Sequence, residues 1–286
     1  MKDLLERTDE CLVVRGLSLR TRETYLKHIT RLAEFCKKSP HELDAKDAEQ
    51  YLLHVTTKKH WSPSSRNQFA SAIRFLFHVV LERPEAAERV PRAKRWQRLP
   101  AVLSGTEVLL LLNHLHSIVH RTLAILCYGA GLRVSEACTL KLDDIDSLRK
   151  VIHIRSAKGN KDRMVTLTPR LLQALRDYWK QRRPTGPHLF PGATPGRSID
   201  VTSFQKALTL ASLRARIDKT VSPHVLRHSY ATHMIEAGAD LRSVQLLLGH
   251  CTISSTIRYV HLTHAHRESL PNPLELLGTK AGGVFG

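Results

Sequence analysis

Val151-Ile-His-Ile154-Arg-Ser-Ala-Lys158-Gly-Asn-Lys161-Asp-Arg163-Met164-Val-Thr-Leu167 is the stretch on which the fold turns. Val151–Ile154 and Met164–Leu167 alternate with the period of two expected of strands, and the Gly-Asn between them supplies the positive φ angles of a tight hairpin. Nearly everything on either side reads as helix. Upstream, Leu17-Ser-Leu-Arg-Thr-Arg-Glu-Thr-Tyr25 offers a capping start at Ser18 or Thr21, and Tyr25, Ile29, Leu32 and Phe35 then recur at helical spacing. Asp44 starts a short helix through Tyr51 and Leu52. Ser62-Pro63 opens another, with Phe69, Ile73, Phe75, Leu76 and Val80 as its apolar face. Further along, Ser104-Gly-Thr-Glu107 is a capping sequence ahead of Val108–Leu115, and Leu123–Tyr128 ends in Gly129-Ala-Gly131. The pattern predicts a mainly α protein: a helical amino-terminal domain, then an α+β domain of helices with a small antiparallel sheet.

The 286 residues suffice for two domains. They are expected at 1–85 and 101–286, joined by a basic linker at 86–100. Glu82–Pro100 carries Pro84, Pro91 and Pro100 and five basic residues from Arg89 to Arg98, which together resist helix and burial. Lysine and arginine number 44 against 26 acidic residues, a net charge of +18 that points to a polyanionic partner. Both halves share it, with 20 basic and 13 acidic side chains up to residue 100, then 24 and 13. A clamp around nucleic acid fits that distribution better than one binding module beside an unrelated enzyme. The longest apolar run, near Val108–Leu112, is far short of the ~20 residues that span a bilayer. Asp3, Glu6, Asp9 and Glu10 interrupt any signal peptide, so no membrane association and a cytoplasmic, nucleoid-associated location are expected. Cys11, Cys36, Cys127, Cys138 and Cys251 are scattered without a CxxC pair, as reduced thiols are.

Four segments carry candidate chemistry. In Gly131-Leu-Arg133-Val-Ser-Glu136 glycines end one helix, Arg133 begins the next, and the i, i+3 spacing sets Glu136 beside Arg133. At the hairpin tip Lys158 presents an ammonium that can reach a DNA groove as a proton donor, with Lys161 competing for that role. In Ser222-Pro-His224-Val-Leu-Arg227, the proline suits a first helical turn and places His224 and Arg227 on one face. Finally, Gly249 ends a helix in Leu248-Gly-His250, and a polar, β-branched stretch leads to Tyr259. Phosphodiester transfer by a tyrosine needs cations around the pentavalent phosphorane, a donor for the leaving 5′-oxygen and an acceptor for the phenolic proton. Two arginines, two histidines and a lysine supply these without a metal, and arginine's planar fork grips two phosphate oxygens at once.

These segments, in this order and with these gaps, resemble the tyrosine recombinase (phage integrase) family. The likeness includes His224-x-x-Arg227 and the nine-residue step from His250 to Tyr259, and in plain two-domain length it is Xer-like. It covers about residues 100 to 265 and extends to a SAM-like core-binding domain and the linker. The resemblance implies that Arg133 and Arg227 hold the non-bridging phosphate oxygens. It implies that Lys158 protonates the leaving 5′-hydroxyl, His224 assists Tyr259, His250 bonds the phosphate and Glu136 steadies the site. Tyr259 would form a 3′-phosphotyrosyl link, needing no cofactor. Lys161, Arg163, Arg92, Lys94 and Arg95 are the expected DNA contacts. Implied partners are paired double-stranded DNA sites, three further copies of the chain in a homotetramer that passes through a Holliday junction, and an accessory protein or second recombinase. The tail with Leu270, Leu274, Leu276 and Leu277 would dock on a neighbouring subunit. The physiological outcome stays open among integration, excision, transposition and dimer resolution.

Integron integrases rank lower, because the 65 residues between Lys158 and His224 leave little room for their extra helical insertion. Cys251 stands where the family often has a small or basic residue, and reads as core filling. A type IB topoisomerase shares the chemistry but would relax DNA without pairing sites. A non-enzymatic DNA-binding protein explains the charge and leaves the matched residues unexplained. A metal-dependent nuclease would need clustered carboxylates, and Asp143, Asp144 and Asp146 lead instead into a strand; His261, His264 and His266 lack carboxylate or thiol partners.

Overall fold

Caps and apolar spacing set the helices of the first unit. In the computed structural model, which describes residues 2–94, 101–157 and 161–249, α1 (Lys2–Val14) is followed by α2 (Leu19–Cys36), α3 (Ala45–Thr57) and α4 (Pro63–Phe75). Ser18, not Thr21, is the cap of α2 and accepts from the Thr21 N–H. Asp44 and Asp47 form a reciprocal capping box on α3, and Ser62 caps α4 ahead of Pro63. A π-helical turn, Leu76–Val80, continues α4. Ile29, Leu32, Phe69, Ile73 and Phe77, all fully buried, make the core.

The expected exposed connector departs from the sequence reading here. Pro84–Arg89 forms a further helix, α5, with Ala87 and the following Val90 buried in the core of the first unit. Two apolar side chains with a place in that core outweigh the prolines and charges around them. The chain beyond is held too: the Asn67 side-chain amide donates to Ala93 O at 2.9 Å and accepts from Ala93 N at 2.8 Å.

The second unit holds the described residues from 101 onward. Ser104 and Glu107 form the expected capping box on α6 (Gly105–Asn113). Then come α7 (Ile118–Gly129), α8 (Val134–Thr139), a 3-10 turn and the strands β1 (Ile145–Asp146), β2 (Val151–Ala157) and β3 (Lys161–Thr166). The sheet is antiparallel in the order β1-β2-β3. Both long strands run closer to the hairpin tip than the apolar alternation alone marked, because the ladder continues through polar residues up to the Ala157↔Lys161 pair. Ile152, Ile154 and Val165 are buried on one face, and on that face Arg163 lies opposite Ile154. Four helices complete the unit: α9 (Pro169–Arg182), α10 (Val201–Arg214), α11 (Pro223–Glu236) and α12 (Leu241–Leu248). Among the described residues, no helix is long and apolar enough to cross a membrane.

Candidate active site

Three elements deliver the described site residues to the C-terminal end of α12. Arg133 is the residue before α8, Arg227 lies one turn into α11, and Arg163 comes from β3. The last carbonyls of a helix lack internal donors and carry the negative end of its dipole. Each arginine reaches one of them: Arg163 Nε donates to Leu247 O at 3.0 Å, Arg227 Nη2 to Leu248 O at 2.6 Å and Arg133 Nη2 to Gly249 O at 2.9 Å. Arg227 also donates to Gly131 O.

Two glycines make this convergence possible. Gly131 has φ +63°, and a Cβ there would fall 2.6 Å from a ring carbon of Tyr230. Gly249 closes α12 with φ +62°, and a Cβ there would meet Arg163 Cδ at 2.9 Å.

Glu136 is the common counter-charge, its side chain only 7% exposed. Its Oε1 accepts from Arg133 Nη1 at 2.7 Å and Arg163 Nη1 at 2.8 Å. Its Oε2 accepts from the Arg133 N–H at 2.8 Å and Arg163 Nη2 at 2.6 Å, with Arg227 Nη1 3.9 Å away. Burial alone would raise this carboxyl. The bonds and charge of Arg163, then those of Arg133, prevail and hold it at about 2. A folded value depressed below the ordinary 4.5 stabilises the protein above that pH, and the contribution disappears as pH falls from about 4.5 towards 2. Urea midpoints measured from pH 6 down to pH 3 should therefore fall more steeply for wild type than for Glu136→Gln, the two curves converging at the acid end.

His224, exposed on the first turn of α11, has its pKa lowered by desolvation and then by the charges of Arg227 and Arg133. The lowered value favours the neutral imidazole, which can accept a proton. Burial raises the thiols of Cys127 and Cys138, the latter to about 12, so neither is a nucleophile at neutral pH.

The structure thus brings together Arg133, Glu136, His224 and Arg227. Lys158, His250, Tyr259, Arg95, Cys251 and the leucine-rich tail lie outside the described residues, as does the side chain of Lys161. Arg163, expected to face DNA, is instead a side chain only 9% exposed, forked end-on onto Glu136. Its parity with Val165 and Leu167 was the available signal: on a strand with period two, residue 163 shares their inward face. In the first unit Arg92 lines a polar cleft of about 560 Å³ with Arg20, Thr21, Thr24, Gln68 and Ser71, and among the described residues no carboxylate lines it. Lys94 is exposed.

The sequence matches the Phage integrase family over residues 101–266 and the phage integrase N-terminal SAM-like domain over residues 4–86. The chain belongs to the phage integrase family. It is a tyrosine-type, site-specific DNA recombinase. A protein of Sinorhizobium fredii provisionally named integrase/recombinase y4qK is 40% identical, the match covering 97% of this chain and 90% of that one. Tyrosine recombinase XerA of Pyrococcus horikoshii is 31% identical, over 98% and 96%. Among solved structures, a XerA recombinase is 28% identical with a TM-score of 0.53, covering 93% of this chain and 96% of that one. The fold is shared with XerH site-specific recombinase in a post-cleavage complex, TM-score 0.70 at 21% identity over 89% and 80%.

Proposed function

We propose that Tyr259 is the nucleophile of this recombinase and that Arg133 and Arg227 clamp the scissile phosphate. In the first step the Tyr259 oxygen bonds to phosphorus and the bond from phosphorus to the 5′-oxygen breaks. The phenolic proton passes to His224, and Lys158 gives a proton to the departing 5′-oxygen, which leaves as the hydroxyl. The 3′-phosphotyrosyl ester conserves the energy of the original bond. A 5′-hydroxyl from a partner strand then reverses the step and frees the tyrosine, so neither ATP nor a metal enters the balance. Paired duplex sites, a tetramer joined through the carboxy-terminal tail and a Holliday junction complete this reading, with the protein acting on DNA in the cytoplasm.

The observation that carries it is the fixing of two guanidiniums on the carbonyls of residues 248 and 249, directly before His250, with His224 sensing both charges. Donors ordered in advance where charge develops are worth about 10²–10³-fold in rate each. The test is a nicked duplex, enriched by the protein itself from random-sequence DNA, incubated in EDTA. A covalent adduct whose mass places the nucleotide on Tyr259 is expected; adduct formation that needs a divalent metal, or maps elsewhere, refutes the assignment. A plasmid bearing two such sites should give deletions or inversions, whereas relaxation alone would indicate a topoisomerase.

The cleft of the first unit is the proposed duplex contact of the amino-terminal domain. Arg20 and Arg92 are exposed there among hydroxyl and amide groups. Arg20→Ala should weaken binding and reduce the slope of log K against log salt by about 1, as the loss of one phosphate contact does. Titrations at several salt concentrations check this, and an unchanged slope would remove Arg20 from the interface.

A further inference from the structure

Arg163 ties together parts of the chain that sequence keeps far apart. Its fork takes one site on each Glu136 oxygen, its Nε caps Leu247 O, and its Cδ, Nε and Nη1 occupy the space that Gly249 leaves by having no Cβ. A carboxylate offers about four acceptor sites, and Glu136 has all four filled: two by Arg163, one by the Arg133 guanidinium and one by the Arg133 backbone. The second phosphate-clamping arginine waits at 3.9 Å, within reach of the same carboxylate but not hydrogen-bonded to it.

Resting on the recombinase reading above, we infer that Arg163 is a positioning residue for strand transfer. By saturating Glu136 it keeps Arg227 on Gly131 O and Leu248 O, aimed at the phosphate. By holding Leu247 and packing on Gly249 it fixes the end of α12. Without it, two vacant sites on a buried carboxylate attract the nearest cation. Arg227 then swings onto Glu136, and the end of α12 loses a cap. A lysine keeps the charge but is a point donor without a fork, so it cannot satisfy both Glu136 oxygens and Leu247 together.

The test compares Arg163→Lys with wild type in the full chain, on the nicked, self-selected duplex. Misplacement of a reacting group by about 1 Å lowers a rate about 10²-fold. At saturating DNA the single-turnover cleavage rate should fall by roughly that factor. The amplitude, which counts folded protein, should hold, and affinity and salt slope should stay within about twofold of wild type. On a duplex with a methylphosphonate at the cleaved position, which lacks the charged oxygen that Arg227 neutralises, the two proteins should cleave at rates within about threefold of each other.

A lysine variant with the wild-type rate overturns the inference. So does a lower salt slope, which would make Arg163 a DNA contact, or a reduced amplitude at full rate, which would make it purely structural. A defect undiminished on the methylphosphonate overturns it too. A wild-type chain that never becomes linked to DNA overturns the recombinase reading itself, an outcome separable from all of these.

Discussion

A protein carrying Tyr259→Phe is expected to bind its DNA site as wild type does and to form no covalent complex. Phenylalanine keeps the ring and removes the only atom that can bond to phosphorus. Arg133, Arg227 and His224 can still gather around the phosphate, so binding survives while cleavage is lost by more than about 10⁴-fold, the scale on which covalent nucleophiles matter. Gel retardation alongside trapping on the nicked duplex measures both quantities in one sample. Residual adduct at an appreciable rate would mean that another side chain attacks. Among the described residues, the buried and raised Cys127 and Cys138 are poor substitutes.

Glu136→Ala should have the largest effect on stability. It leaves the guanidiniums of Arg133, Arg163 and Arg227, at 19%, 9% and 4% side-chain exposure, without their shared anion. Removing one partner of a buried ion pair costs about 3–5 kcal/mol, because the surviving charge remains desolvated. For a unit of this size each kcal/mol shifts the melting temperature by roughly 2–4 °C, so a fall on the order of 10 °C is expected. Calorimetry checks it. A shift of only a degree or two would show that the α12 carbonyls already balance the three cations, and that Glu136 serves orientation more than charge.

Much of this architecture was legible locally. Ser18, Asp44, Ser62, Ser104 and Pro223 announce helix starts because a cap needs only its own next three or four residues. The period-two stretches around residues 151 and 164 announced the sheet for the same reason. What could not be read locally depended on distant partners. Ala87 and Val90 look like linker residues until the core formed by α2 to α4 is there to receive them. Arg163 stands 27 residues from Glu136 and 84 from Leu247, so nothing beside it in the chain reveals that its fork is occupied. The site was legible as a set of residue types in order. The geometry adds that three guanidiniums converge on one buried carboxylate and on the last carbonyls of α12.

The carbonyls at the end of α12 have one further effect. Arginine carries about 2 kcal/mol of side-chain conformational freedom, normally lost at the moment a ligand is gripped. Arg133 and Arg227 surrender most of theirs during folding, lodged against Gly249 O and Leu248 O before any duplex arrives. A phosphate brought to them would add acceptors to guanidiniums that these carbonyls keep in place, so little further ordering would be lost on encounter with DNA.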